Sequence, residues 1–279
     1  MNFTHISDYG KPDAGNLLIE GENLFVLKDL LKEYAQKIDV IIIDPPYNTD
    51  INYIGYKDAD FVGGWGKFML DRISIAKEFM SKTGVMFINI DENELTTLLH
   101  ICYDLFGIDN VNILVWPKVD ARFDKNRVEK PVKNVRSTHE YIVLCYNNKE
   151  KTCFNNTAED IPLESIIYGL GTTSSAKDEI EELLGDRKKF STPKPVALMK
   201  ELIRASSIKS SIILDFFAGS GTTGHAMLDL NNEDGGSRRF ILITNNESNI
   251  CESVTYPRLK KCIENNNYTD GFSFFKISE

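Results

Sequence analysis

The stretch Ile212-Ile213-Leu214-Asp215-Phe216-Phe217-Ala218-Gly219-Ser220-Gly221-Thr222-Thr223-Gly224 passes from a β-branched apolar run, through a glycine turn, into a segment of helical character. Residues 219–224 fit GxGxxG in the strand-turn-helix setting that such a motif needs. Glycines there allow a tight turn and let ligand atoms approach the backbone amides at a helix start. Twenty-three residues after Gly224, Glu247 stands past the end of the next apolar run, Phe240 to Thr244. A carboxylate there can accept hydrogen bonds from both ribose hydroxyls, so the pair points to a cofactor containing adenosine. Oxidoreductases, flavin domains and methyltransferases share this signal, and a glycine turn also occurs with no ligand at all. Phe217 reads either as core or as the wall of an adenosyl pocket.

Outward from this loop, short apolar runs alternate with helical stretches, the pattern of an α/β fold whose mostly parallel sheet carries helices on both faces. Val40 to Ile43 is continuous and apolar, as a strand buried on both faces should be, and it ends at Asp44. Gly84 to Ile90 repeats that design after a predicted helix over Trp65 to Ser81, and ends at Asp91. Asn112 to Trp116 and Tyr141 to Tyr146 read as a hairpin with a long loop. A helix to about Ala205, one from Thr223 to Asn231 and one from Val254 to Glu264 complete the prediction. Residues 147–192 are polar and rich in turn signals, and read as an insertion or linker. The chain then divides into 1–146, the insertion 147–192 and 193–279, the outer two being halves of one domain.

With 279 residues, 42% hydrophobic and 26% charged, the chain can bury a sizeable core unaided. Cys102, Cys145, Cys153, Cys251 and Cys262 are odd in number and lack a metal or secreted-scaffold spacing, so free thiols in a reducing cytoplasm and no metal are expected. No leader or membrane-spanning run is read. The formal charge of -9 argues against holding nucleic acid by overall electrostatics. Any DNA contact must come from a local patch. Lys118, Arg122, Lys125, Arg127, Lys130, Lys133 and Arg136, set against Asp120, Asp124 and Glu129, give the 118–136 stretch a local excess of +4. An ordinary solvated loop is the alternative reading.

Asp44-Pro45-Pro46-Tyr47 follows the central strand directly. Two consecutive prolines fix the backbone and remove two amide donors, leaving a stiff turn rich in acceptors. The Asp44 carboxylate and the Pro45 carbonyl can each accept one hydrogen of an NH2 group, which leaves the nitrogen lone pair free. An adenine amino nitrogen is conjugated with its ring and is a poor nucleophile, so two acceptors that bias it toward tetrahedral geometry aim that lone pair at an electrophile. Positioning and preorganised electrostatics then supply most of the barrier reduction. Tyr47 offers an aromatic face to a base rotated out of the duplex.

These blocks resemble the DNA amino-methyltransferases of the group in which the DPPY element precedes the FxGxG loop, here Phe217-Ala218-Gly219-Ser220-Gly221. The chain is most similar to the modification subunits of type III restriction systems, through Asp44 to Thr49, Gly84 to Asp91, Leu114 to Lys118, His139 to Leu144, Ser191 to Pro195 and Asp215 to Thr223. The resemblance implies a Rossmann-like S-adenosylmethionine-dependent fold with a seven-stranded sheet containing one reversed strand. It implies S-adenosyl-L-methionine held by Asp215, Phe217, Ala218, Gly219, Ser220, Gly221, Thr222 and Glu247. Glu22 or Asn23 would stand near the cofactor adenine, and Lys194 would meet its carboxylate unless it is simply a surface lysine. Double-stranded DNA is the implied substrate, with a homodimer or a separate specificity or nuclease subunit as partner. Type III subunits are usually much longer, so recognition here is short, shared with a partner, or assembled across a dimer. Asp44 in place of serine favours adenine N6 over cytosine N4. A silent DNA-binding subunit and a nucleotide-dependent oxidoreductase are the remaining alternatives. Trp116 reads as core and His139 as structural.

Overall fold

The computed structural model describes residues 2–49, 61–119 and 135–278. Its strands form a single sheet. They are β1 (Asn2–Tyr9), β2 (Leu17–Glu20), β3 (Ile38–Ile43), β4 (Met80–Ile90), β5 (Val111–Trp116), β6 (Glu140–Tyr146), β7 (Ile212–Asp215), β8 (Arg239–Thr244) and β9 (Phe272–Ser278). They lie in the order β1-β9-β2-β8-β7-β3-β4-β6-β5. The run from β2 to β5 is the expected seven-stranded sheet, with β6 alone reversed by antiparallel pairing to β4 and β5. Among the described residues the sheet nonetheless has nine strands rather than seven. β9 adds in parallel beside β2, and β1 pairs antiparallel with β9.

The continuous apolar runs have a direct physical cause, because successive residues of the central strands enter cores on opposite faces. Val40 and Ile42 of β3, Val85 and Phe87 of β4, and Phe240 and Leu242 of β8 join one cluster. Their neighbours Ile41, Ile43, Met86, Ile88, Ile241 and Ile243 join the other. Each fully buried side chain of this kind contributes about 1.5–3 kcal/mol. Helices α1 (Asn23–Tyr34), α2 (Trp65–Phe79) and α3 (Leu95–Phe106) cover the second face. After α4 (Thr173–Leu184), helices α5 (Val196–Ser206), α6 (Thr222–Asp234) and α7 (Tyr256–Asn266) cover the first. Trp116 is buried in that first core.

Several boundaries differ from the sequence expectation. Helix α2 stops at Phe79 because the chain turns straight into β4, whose Met80 already pairs with Ile38 ahead of a register shift. The stretch 147–192 holds α4, closed at its start by a reciprocal pair of hydrogen bonds between Thr172 and Ser175 and at its end by Gly185 in the left-handed region. Ile180, Leu183 and Leu184 of α4 pack with Phe190, Ile250 and Val254. Asn155 N–H donates to the Ala205 carbonyl, and Ile166 bridges Val115 of β5. This stretch is therefore stitched to the body of the domain. Among the described residues no helix is long and apolar enough to cross a membrane. All five cysteines are free thiols, and only Cys153 is exposed.

Candidate active site

The carboxyl ends of β2, β3, β7 and β8 open along one edge of the sheet onto a cavity of about 840 Å3. Glu22 and Asn23 line it beyond β2, Asp44 and Pro46 beyond β3, Asp215 to Ser220 beyond β7, and Asn245 and Glu247 beyond β8. Ligands sit at this edge in open α/β sheets because strand ends and helix starts converge there. The segment Thr192-Pro193-Lys194 closes the cavity from the α5 side.

The glycine loop earns its composition by geometry. Gly219 and Gly221 have φ of 47° and 78°. A Cβ on Gly221 would come within 3.1 Å of Thr255 Cγ2, and one on Gly219 within 3.2 Å of Phe190 Cζ. Asp215 staples the turn, accepting from Phe217 N at 3.0 Å and Thr223 Oγ1 at 2.6 Å. Burial lifts its pKa to about 7 despite these donors. Phe217 stands as cavity wall, its ring 6.0 Å from that of Phe68. Of the loop residues expected at the cofactor, Phe217, Ala218, Gly219, Ser220 and Thr222 line the cavity, and Gly221 lies behind it.

Behind the loop stands Arg258, fully buried, donating to Ser220 Oγ at 3.1 Å and Thr222 Oγ1 at 2.8 Å. Burial pulls its pKa down to about 10. His225, Asp229 and Cys262 cluster close by. Arg258 Nε, however, faces His225 Nδ1 at 3.4 Å and Lys200 faces Asp229 at 4.0 Å, and these cations argue against a metal ion in that group.

At the β2 end, Glu22 caps α1 through Phe25 N at 3.1 Å and pairs with Arg72. Asn23 spends its amide on the framework, giving Nδ2 to the Phe216 carbonyl at 2.8 Å and taking Arg72 Nε on Oδ1 at 2.6 Å. Arg72 itself lies over the Phe68 ring at 3.6 Å. The sequence held no hint of Arg72, which sits in mid-helix about fifty residues from both partners.

The acidic corner is held from several sides. Asn89 Nδ2 donates to the Ile43 carbonyl at 2.9 Å, and Trp65 Nε1 to the Pro46 carbonyl at 2.6 Å. Asp44 Oδ1 accepts from the Tyr47 hydroxyl at 2.7 Å, and Oδ2 from Lys194 Nζ at 2.7 Å. Lys194 Nζ also reaches the Tyr47 hydroxyl at 2.9 Å and Glu140 Oε2 at 3.3 Å. Glu140 Oε2 is 3.1 Å from the Tyr47 hydroxyl, and its Oε1 is 3.3 Å from Lys118 Nζ. Two carboxylates and two ammonium groups thus balance within one cluster.

Burial raises the Asp44 carboxyl above the usual range, with Lys194 opposing it and Glu140 adding to it. Burial acts on Glu140 the same way, but Lys194 and Lys118 outweigh it and hold Glu140 below its ordinary value. Lys194 is pushed up because Asp44 and Glu140 overcome its own desolvation.

Two expectations change here. Lys194 is not a surface lysine: only 7% of its side chain is exposed, and its ammonium is engaged at the acidic corner. The Tyr47 ring is less open than expected, since its hydroxyl is folded onto Asp44 and the Lys194 ammonium lies over one face, 5.1 Å from the ring centre. Glu140, at the start of the reversed strand and 93 residues from Tyr47, went unrecognised in the sequence. Of the basic stretch, Lys118 points inward to Glu140 and Arg136 is half-buried. Arg122, Lys125, Arg127, Lys130 and Lys133 lie outside the described residues. His139 packs edge-on against Tyr141 at 4.9 Å.

A glycine loop and an acidic DPPY corner on one cavity, at the carboxyl edge of this sheet, define the methyltransferase class of α/β fold. Residues 38–255 match the family model described as DNA methylase, and the chain belongs to that family. It is 27% identical to the StyLTI Mod subunit, a type III restriction-modification enzyme of Salmonella typhimurium, over 83% of this chain and 52% of that one. It is 27% identical to the DNA adenine methyltransferase YhdJ of Escherichia coli K12, over 74% of this chain and 72% of that one. The solved M1.HpyAVI–SAM complex shares the fold at TM-score 0.58 and 22% identity, covering 88% of this chain and 98% of that one. The chain spans about half the length of the StyLTI subunit.

Proposed function

We propose that the protein methylates an exocyclic amino group of double-stranded DNA, N6 of adenine, using S-adenosyl-L-methionine. The observation that carries this reading is the shared cavity, in which Asp44 and the glycine loop line one continuous space. The residues present fit the cofactor. An aromatic wall of Phe217 and Phe68 suits a purine, Glu247 stands where ribose hydroxyls would be received, and the start of α6 offers backbone amides. When bound, the cofactor supplies an electrophilic methyl on sulfur.

The chain's own residues do the rest. Pro45 and Pro46 fix the acceptor geometry, Asp44 and the Pro45 carbonyl hold the two amino hydrogens, and the Tyr47 ring packs on the extruded base. Lys194 keeps Asp44 supplied with positive charge, so that a carboxylate raised by burial still acts as an acceptor. Stacking of a base on an aromatic ring is worth about 1–3 kcal/mol, comparable with the cost of unstacking it.

The same geometry serves cytosine N4, which is the second reading. Incubation with duplex DNA and labelled cofactor, followed by digestion to nucleosides, separates them. The expected product is N6-methyladenine, and N4-methylcytosine alone would reverse the base assignment. A subunit that binds DNA and leaves it unmethylated would overturn the enzymatic reading. Contacts with the DNA backbone are assigned to the 118–136 stretch, apart from Lys118, whose ammonium is held by Glu140, and residues 147–192 are assigned to target recognition. A second copy of the chain or a separate specificity or nuclease subunit would complete that recognition.

A further inference from the structure

The acidic corner is capped by its own neighbours, and Glu140 is placed to remove the cap. Asp44 has both oxygens engaged, Oδ1 by the Tyr47 hydroxyl and Oδ2 by Lys194. An incoming amino group is a donor, so it competes with these donors for the same carboxylate. Each of the two has a second acceptor already in reach, because Glu140 Oε2 lies 3.1 Å from the Tyr47 hydroxyl and 3.3 Å from Lys194 Nζ. A tyrosine hydroxyl has a single proton to give. Rotation about the Cζ–Oη bond turns that proton from Asp44 to Glu140 with no movement of heavy atoms. Lys194 Nζ, 2.9 Å from the same hydroxyl oxygen, donates to it and leaves the proton directed at one carboxylate or the other.

We propose that Glu140 is a positioning residue that takes over the Tyr47 hydroxyl and part of the Lys194 ammonium when the flipped base engages Asp44, releasing Asp44 to hold the amino group. The proposal rests on the reading of Asp44 as the base-binding acceptor. Glu140 suits the task because Lys118 and Lys194 keep it ionised inside the fold. Without Glu140, the Tyr47 proton is left to Asp44 and contests the base at the oxygen where methyl transfer is set up. Loss of a hydrogen bond to one charged acceptor corresponds to a roughly 10- to 100-fold effect.

The test compares wild type, Glu140→Ala, Tyr47→Phe and the double variant in single-turnover methylation of duplex DNA. S-Adenosylhomocysteine affinity is measured alongside by calorimetry. Glu140→Ala should slow turnover roughly 10- to 100-fold with cofactor affinity within about threefold. Adding Tyr47→Phe, which removes the competing hydroxyl and keeps the ring, should make the double variant faster than Glu140→Ala alone. A merely structural Glu140 would give a double variant slower than either single change. A wild-type rate for Glu140→Ala, or a double variant no faster than it, overturns the proposal. If Glu140→Ala does not fold, Glu140→Gln carries the same comparison. It should be slowed less and still be rescued by Tyr47→Phe, and absence of rescue is again a refutation. Activity retained by Asp44→Ala would instead remove the base-binding reading itself, so the two failures are distinguishable.

Discussion

Asp44→Ala is expected to abolish methyl transfer, by a factor on the order of 10²–10³ or more, while S-adenosylhomocysteine binds nearly as well as to the wild type. The split follows from the site. Asp44 is the group beyond β3 with 30% of its side chain open to the cavity, whereas the proposed cofactor contacts lie at the ends of β7 and β8. Preorganised acceptors act where the reacting nitrogen changes its geometry, so their loss falls on turnover rather than on cofactor affinity. The wild type should show the matching pH dependence. A protonated Asp44 has lost the charge that makes it a strong acceptor for an amino group, and burial raises its pKa, so activity is present above that raised pKa and is lost as pH falls through it. Single-turnover rates set beside calorimetric affinities check both parts. Retained turnover would remove Asp44 from the mechanism.

Lys194→Met should be nearly as damaging, for an electrostatic reason. Lys194 is the cation that opposes burial at Asp44 and also reaches Glu140. Removing one partner of a buried ion pair costs about 3–5 kcal/mol, and Asp44's partial exposure places this change at about 3 kcal/mol. The fold should survive with a lowered unfolding midpoint. Its signature is in the pH profile: with the cation gone, the Asp44 carboxyl rises further, and the acidic limb of the rate profile moves to higher pH than in the wild type. Lys194→Arg keeps the charge in another shape and should move that limb less. If Lys194 instead served only the cofactor carboxylate, Lys194→Met would weaken cofactor binding and leave the limb unmoved.

How far the fold could be read in advance depended on how local its causes were. β3, β7 and β8 were legible because strands buried on both faces must be apolar throughout, and the glycine loop because a left-handed turn at a helix start calls for that residue. β2 was obscured by its length of four residues, and β1 and β9 by a pairing that joins the two ends of the described chain. α4 was readable but hidden in a polar context. Thr172 and Ser175 signal its start, and Ala176, Ile180, Leu183 and Leu184 mark one face. The corner at Asp44 was recognised from adjacent residues.

What completes that corner was not legible. Lys194 is 150 residues from Asp44 and Glu140 is 93 from Tyr47. A charged residue at such separation looks the same in sequence whether it faces solvent or a buried partner. Arg72, in the middle of α2, and Arg258, in the first turn of α7, escaped for the same reason: the role of each exists only once the sheet brings the loops of β2 and β7 against it.

The most direct test of the central claim is a structure of the protein with S-adenosylhomocysteine and a duplex containing its target. The account predicts one nucleobase outside the stack, its amino nitrogen within about 3.2 Å of the Asp44 carboxylate and of the Pro45 carbonyl, with the nitrogen facing the cofactor sulfur. A target base that stays stacked, or is seated away from Asp44 while Tyr47 and Lys194 still hold both of its oxygens, would contradict it.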